Sequence, residues 1–440
     1  MQAHNTRYIV EGGRKLEGSI MIQSAKNAIS KQLVASVLTN EPCILENVPR
    51  ITEVDGVLAM LGELGTSYEW ISDDTLLVQT PDIEANLVPL EYSGFNRIPI
   101  LMLGPLVHRA GSVTVPIVGG DDIGSRPVNF HTRALRDMGV EIESNGDSYT
   151  AKSSGITGTT IELPYPSVGA TENVILTATL AEGTTVIKNA AIEPEIIDTI
   201  LFLQKMGALI RVDVDRKIII EGVAKLHGAR HRPIADRIEA ASYAALALAT
   251  DGNITIRNAQ QQHMITFLNA LLKVGGGFKV KDEGIAFFRA SDELSPIHIE
   301  TDVHPGFMTD WQQPFVVMLT QAQGVSIIHE TVYENRFGYT KALRQMGANI
   351  DLTTACLGSK PCRFKDRDHL HSAIIRGVTP LNGTQVEIPD LRAGFAYLMA
   401  GLVAEGETEL TNVHYMERGY ANIVDKMASI GAQLRVATTA

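Results

Sequence analysis

At 440 residues, with 45% hydrophobic and 20% charged side chains, the chain has the make-up of an ordinary globular protein of one large or two medium domains. A formal net charge of −12 argues against a general nucleic-acid binder, while leaving room for a basic pocket that takes an anionic substrate. No apolar run is long enough to span a bilayer, the start MQAHNTRYIVEGG has no hydrophobic signal core, and three cysteines make no disulfide framework, so the cytoplasm is the expected compartment.

Two kinds of helix alternate along the chain. The first kind is rich in Ala, Leu and Val and nearly apolar all round. Its copies are AKNAISKQLVASVLTNEPC, NRIPILMLGPLVHRAGS, TENVILTATLAEGTT, DRIEAASYAALALATDGN, DWQQPFVVMLTQAQGV and LRAGFAYLMAGLVAEGET. A helix without a polar face belongs inside its domain. The second kind is amphipathic and ends in a recurring phrase: LGELGTSYEW, LRDMGVEIES, LQKMGALIRV, LLKVGGGFKV, LRQMGANIDL and MASIGAQLRV. Each phrase reads as a last helical turn, a glycine in the left-handed conformation, and a strand. The glycines are Gly65, Gly139, Gly207, Gly275, Gly347 and Gly431, separated by 74, 68, 68, 72 and 84 residues. The repeat is therefore strand, buried helix, strand, loop, amphipathic helix, strand, about 70 residues long. Six copies make two sets of three, an α/β fold with its helices inside its sheets.

Polar residues gather at the starts of the buried helices: Lys26 and Asn27, Arg97, Glu172 and Asn173, Asp236 and Arg237, Asp310, and Arg392. A helix start attracts anions through its free N–H groups and its dipole. Ordinary capping would place carboxylates there, so the cations Lys26, Arg97 and Arg392 call for another purpose. Loops before the amphipathic helices hold a second set, GGDDIGSR, AAIEPE, AQQQH, VYENR and VHYMER. Cys356 and Cys362 stand six apart with no second pair nearby, and no metal site is expected. The basic stretch CLGSKPCRFKDRDHLHSAIIRGVTPLNG lengthens the last interval and reads as a surface insertion between strands.

The motifs SAKNA, GGDDIGSRPVNFH, SVGATEN, EPEIIDT, DRIEA, FMTDWQQPF, VYENRF, DLRAG and ERGY, in this order across nearly the whole chain, resemble the enolpyruvyltransferase family. Within it the resemblance is to the branch that acts on UDP-N-acetylglucosamine in bacterial cell-wall synthesis. It implies an inverse α/β barrel in two domains, residues 22–235 and residues 1–21 with 236–440. It implies transfer of the enolpyruvyl group of phosphoenolpyruvate to the sugar 3-hydroxyl, with release of phosphate and no cofactor. Lys26, Arg97, Arg126, Arg336, Arg392 and Arg418 match the cations around phosphoenolpyruvate, a task that suits the bidentate guanidinium. Asp310 matches the carboxylate beside the accepting hydroxyl, and Asp310, Lys26, Arg418 and Asp121 are the expected catalytic set. Asn27, Pro127, Phe130, His131, Ser167, Val168, Gly169 and Val332 match positions that meet the sugar nucleotide, together with Arg97, Arg126 and Asp310. Glu193 matches a carboxylate near the lysine.

Two positions depart from the family pattern, Asn129 where many relatives have Asp and Tyr165 where some have Lys. Both leave acceptor choice open, and a second reading keeps the same transfer with another acceptor, a free nucleotide or shikimate 3-phosphate. A third reading is a ring-like nucleic-acid clamp, which the unequal polar residues of the six repeats disfavour. The partners expected are small molecules alone, on a monomer or weak homo-oligomer.

In most relatives a cysteine follows the two glycines, GGCxIGxRP, and here Asp121 takes its place with Asp122 beside it. Thiol and carboxyl can both give a proton, with reference pKa values of about 8.5 and about 3.9. Asp121 is therefore the expected general acid or proton relay. Asp121→Asn should lose most of its phosphate release and Asp122→Asn much less. Asp121→Cys should keep activity, move the pH profile to the alkaline side and gain time-dependent inactivation by fosfomycin, the epoxide antibiotic that alkylates the family's cysteine. Rapid covalent inactivation of the unaltered protein, or the reverse order of the two Asn variants, overturns this role.

Overall fold

The computed structural model describes residues 6–438 apart from Phe95, residues 120–123, Ser125 and Pro361. The described residues divide into two compact units, one of residues 6–23, Gly124 and residues 235–438, the other of residues 24–119 and 126–234. Among the described residues each holds three sheets and three inner helices, the inverse α/β arrangement expected of the sixfold repeat.

The third repeat shows the plan. Strand Thr160–Glu162 leads into the inner helix Val168–Ala178, and strand Thr184–Lys188 returns parallel to the first. The outer helix Pro194–Lys205 follows, then strands Leu209–Asp213 and Lys217–Glu221 as an antiparallel pair. The last strand lies between its hairpin partner and Thr184–Lys188. The same order recurs in five four-stranded sheets. In the second repeat the parallel fourth position is reduced to a bridge from Leu87 to Thr114. The repeat thus ends in two strands where the sequence pattern shows one. These hairpin strands are short and half exposed, so their apolar periodicity is weak.

Strands from distant parts of the chain complete three sheets. Arg230–His231 pairs with Cys43–Leu45, Glu17–Met21 with Asn253–Arg257, and Thr6–Glu11 lies between Glu407–Thr411 and Gln433–Thr438. All six outer-helix glycines have positive φ, between 82° and 107°. That conformation carries a steric penalty for any side chain, which is why the phrase repeats with its glycine intact.

The inner helices are the core. All thirteen residues of Arg237–Ala249 are buried, and this helix packs on Gln312–Leu319 and Leu391–Val403. Its alanines allow close approach, while each large apolar side chain buried around it, such as Phe395 or Leu398, contributes about 1.5–3 kcal/mol. Proline shapes two inner helices. Pro99–Met102 is a 3₁₀ turn running into Leu103–Ala110, and Thr309–Trp311 a 3₁₀ turn running into Gln312–Leu319. The basic segment is only partly surface. Ser372–Gly377 within it is a central strand between Gly324–His329 and Asn349–Thr353, and Phe364 is fully buried. Among the described residues, no helix is long and apolar enough to cross a membrane.

A close inner contact joins Leu103–Ala110 to Val168–Ala178. A Cβ on Gly104 would lie 2.0 Å from Thr177 Oγ1 and 2.9 Å from its Cβ. Gly104→Ala should therefore cost about 1–3 kcal/mol in urea unfolding, from forced separation of the helices. Adding Thr177→Ala removes the nearest atom and should recover part of that loss. Equal stability of Gly104→Ala and the unaltered protein would refute the close-contact account.

Candidate active site

In the unit built on Ser24–Ile234, Lys26 is the first residue of the helix Lys26–Ser36. Its Nζ lies 3.4 Å from Glu53 Oε1, and Glu53 is buried. A cation at a helix start is unfavourable by itself, and Glu53 offsets both the dipole and the burial. Asn27 follows, half-buried.

His131 is buried near the start of the helix Asn129–Asp137. Asn173 Nδ2 lies 3.1 Å from its Nδ1 and donates to it, which leaves the imidazole proton on Nε2. Burial, and then the charge of Arg97, push this imidazole down to about 3, so it is a neutral N–H donor rather than a cation. Gly169 lies against the same ring. A Cβ there would come 3.0 Å from His131 Cε1 and 3.2 Å from Nε2. Ser167 caps the inner helix Val168–Ala178, its hydroxyl accepting from Ala170 N at 3.4 Å. The first N–H groups of that helix have no partner within it, which is the make-up of an anion site. Arg97, His131, Ser167, Val168 and Gly169 are thus brought together around one helix start and its neighbour Asn173. Arg126 and Phe130 are half-buried and Pro127 is exposed. Of the two departures from the family pattern, Asn129 is exposed and Tyr165 half-buried.

In the unit built on Ala235–Ala440, Asp310 is the centre. It lies in the 3₁₀ turn Thr309–Trp311 and does not act as a simple cap. Arg336 Nη2 donates to Asp310 Oδ1, and Arg392 Nε donates to Oδ2 at 3.3 Å. Both guanidinium groups are almost fully buried. The Gln313 carbonyl accepts from Arg336 Nε at 2.8 Å and Nη2 at 2.9 Å. Burial alone would push the Arg336 guanidinium down, but Asp310, Asp390 and Glu330 together hold it above its ordinary value. Arg392 is raised in the same way, against burial, by Asp310, Tyr420 and Asp236, and its guanidinium carbon lies 5.9 Å from the Tyr420 ring centre. Arg418 is half-buried and ends the short helix His414–Glu417, two residues before that ring.

Three supporting residues escape sequence reasoning. Glu330 is fully buried and accepts from Thr309 Oγ1 at 2.9 Å, Gln312 Nε2 at 2.6 Å, Val332 N at 2.7 Å and Tyr333 N at 2.9 Å. It ties the loop bearing Val332 and Arg336 to the turn bearing Asp310. Asp390 caps Leu391–Val403 by accepting from Arg392 N and Ala393 N, and so sets the direction of Arg392. Gln313 is the third. Glu330 follows the strand Gly324–His329 and Gln313 lies in an apolar helix, so neither has a sequence signal apart from its polarity. Asp390 stands directly before an apolar run, where an N-cap signal was available.

Asp121 and Asp122 lie outside the described residues. The pair Cys356 and Cys362, for which the sequence shows no second ligand pair, is joined in the fold by His329 and His371. These two histidines come from the ends of neighbouring strands, so chain spacing does not reveal them.

Glu172 is buried in the fifth position of its inner helix, 3.9 Å from Lys31 Nζ. Burial pushes its carboxyl up to about 7, Lys31 pulls it down, and Glu193 and Glu195 push it further up. A carboxyl raised on folding contributes stability below its unfolded value, and that contribution is lost as pH rises through about 7. The urea midpoint should therefore fall between pH 5 and pH 8 by more in the unaltered protein than in Glu172→Gln. Equal slopes in the two proteins would remove Glu172 as the cause.

The family of EPSP synthase (3-phosphoshikimate 1-carboxyvinyltransferase) matches residues 10–427. Over 432 residues the chain is 50% identical to UDP-N-acetylglucosamine 1-carboxyvinyltransferase of Protochlamydia amoebophila, covering 97% of this chain and 93% of that one. It is 39% identical over 431 residues to the protein of the same name from Gluconobacter oxydans, covering 97% and 98%. The enolpyruvyl transferase NikO from Streptomyces tendae has a similar structure, with a TM-score of 0.87, 21% identity and 99% of each chain covered. EPSP synthase from Acinetobacter baumannii follows with a TM-score of 0.74 and 16% identity, covering 98% of this chain and 100% of that one. These two likenesses speak for the fold alone. A family match over nearly the whole chain, and relatives up to half identical along it, show that the chain belongs to the EPSP synthase family of enolpyruvyl transferases.

Proposed function

We propose that the chain transfers the enolpyruvyl group of phosphoenolpyruvate to the 3-hydroxyl of UDP-N-acetylglucosamine, releasing phosphate and committing the sugar to peptidoglycan precursor synthesis. The observation that carries this reading is the buried pair Arg336 and Arg392 on Asp310. Two guanidinium groups held ready by a carboxylate are suited to an anionic substrate that displaces or shares that carboxylate. The full-length relatives named for this activity support the choice of acceptor.

In the addition step a proton goes to the vinyl carbon of phosphoenolpyruvate and the sugar oxygen bonds to the adjacent carbon. In the elimination step the new methyl group loses a proton and phosphate leaves. Asp121 is assigned the first proton. Asp310 orients the hydroxyl or takes its proton once an oxygen is released from its arginines. Lys26, Arg97, Arg126, Arg336, Arg392 and Arg418 balance the carboxylate and phosphate charges. His131, neutral with its proton on Nε2, and the helix start at Ser167, Val168 and Gly169 serve the nucleotide as N–H donors. Asn27, Pro127, Phe130 and Val332 complete the acceptor set. Both substrates are anions that a bilayer retains, which supports a cytoplasmic reaction beside the enzymes that make them.

The test is phosphate release from phosphoenolpyruvate with UDP-N-acetylglucosamine, with free nucleotides and with shikimate 3-phosphate as acceptors. Turnover with the first alone, and loss of at least about tenfold in Asp310→Asn, is the expected result. Preference for another acceptor, or no phosphate release with any, overturns the reading.

A further inference from the structure

We propose that His329, Cys356, Cys362 and His371 bind a structural Zn²⁺ ion that fastens the loop of residues 354–371. One ligand atom from each lies within 4.8 Å of all the others. The proposal is independent of the proposed enolpyruvyl reaction.

The hydrogen bonds around the cluster settle where the imidazole protons are. Ser372 Oγ donates to Ala355 O at 2.7 Å, so the same hydroxyl oxygen accepts from His329 Nδ1 at 2.8 Å. His329 therefore carries its proton on Nδ1. Its Nε2 is a bare lone pair, buried and without a hydrogen-bond partner, on a side chain with no exposed surface. His371 Nδ1 donates to His369 O at 2.7 Å, so its Nε2 is bare as well, and it points at Cys356 Sγ 3.3 Å away. An N–H bond that fixes one ring nitrogen and aims the other is the usual outer support of a metal-bound histidine. The fourth ligand has support of its own, since Phe364 N donates to Cys362 Sγ at 3.4 Å. Such a bond from two residues onward stabilises a thiolate.

The donor set decides the metal. Two thiolates and two imidazoles suit tetrahedral zinc, and no carboxylate stands in the group to favour magnesium or calcium. Zn–S of about 2.3 Å and Zn–N of about 2.0 Å put tetrahedral ligand atoms about 3.3–3.8 Å apart, so closing the cluster takes shifts of about 1 Å. Binding releases the two thiol protons to solvent, and the completed site carries no net charge. A shallow depression beside Cys356, lined by Thr354, Lys365 and Asp368, provides an entry path.

The site has a bearing on the loop that carries Arg336. Arg363, next to Cys362, donates to Val332 O at 2.7 Å. Val332 in turn is held by Glu330, which also anchors the Asp310 turn. Zinc would hold the outer side of this loop while Glu330 holds the inner side.

Full-length protein without an affinity tag, produced in zinc-supplemented medium and desalted, should carry about one zinc per chain by plasma mass spectrometry. Co²⁺ in its place should give the intense visible bands of a tetrahedral site and a thiolate charge-transfer band. The double variant Cys356→Ser, Cys362→Ser should lose the zinc and the cobalt bands. Ser372→Ala, which keeps all four ligands, should weaken Co²⁺ binding by about 10–100-fold. Zinc below about 0.1 per chain without cobalt bands in the unaltered protein overturns the proposal, whatever the folding of the variants. Zinc retained by the double variant, or a Cys356–Cys362 disulfide in freshly isolated protein, overturns it too.

Discussion

An inner helix buried on every side carries most of its charge at its ends, and charge further along it, as at Glu172 and Lys31, is paired with the opposite sign. That constraint orders the whole molecule. Arg237–Ala249 has no exposed residue, and Leu391–Val403 has twelve buried residues of thirteen. Charged groups therefore collect at the first turns, where the helix dipole and the free N–H groups already make a polar environment. Lys26, Asp236 with Arg237, and Asp390 with Arg392 all stand at such starts. Each cation there is matched by a carboxylate or an aromatic face: Lys26 by Glu53, Arg392 by Asp310, Arg237 by the Trp311 ring at 5.4 Å. A scaffold whose inner surfaces are apolar thus concentrates its chemistry at a few places, each held by a rigid element.

Asp310 illustrates how such a place is made ready. A buried guanidinium left alone would be very costly, so Arg336 and Arg392 need an anion at all times. Asp310 is that anion, and Gln313 and Glu330 satisfy the donors and the loop around it. The arrangement keeps both arginines charged and oriented in advance, which is worth more to a developing negative charge than donors that must first reorganise. In the other unit the same economy appears with a different sign. His131 is kept neutral by burial and by Arg97, so it contributes a directed N–H without adding charge.

The segment after Asn349–Thr353 has a different logic. Its loop has few apolar anchors, Phe364 foremost, and many cations, so packing alone ties it weakly. Hydrogen bonds do the rest. Glu300 accepts from Ser359 N at 2.6 Å and from its hydroxyl at 2.8 Å, and Lys360 reaches Asp302 at 2.5 Å. Phe364 packs against His371 at 5.8 Å and thereby connects this loop to the cluster of two cysteines and two histidines.

By itself the sequence determined the sixfold repeat, because a helix with no polar face and a glycine at a fixed offset are local, periodic signals. It also pointed to Lys26, Asp310, Arg336 and Arg392, since each interrupts an apolar pattern or stands in a motif. It did not show the second strand of the hairpins, runs of four to six residues too short for a clear period. Nor did it show which strands complete which sheets. Thr6–Glu11 pairs with strands some 400 positions away, and only the closing of the sheet decides that. The same holds for Glu330, which accepts from Thr309 twenty-one residues earlier, and for His329 beside Cys356 and Cys362. A side chain's partners depend on register between strands, and register is fixed by the packing of whole faces, a property that no local stretch of chain contains.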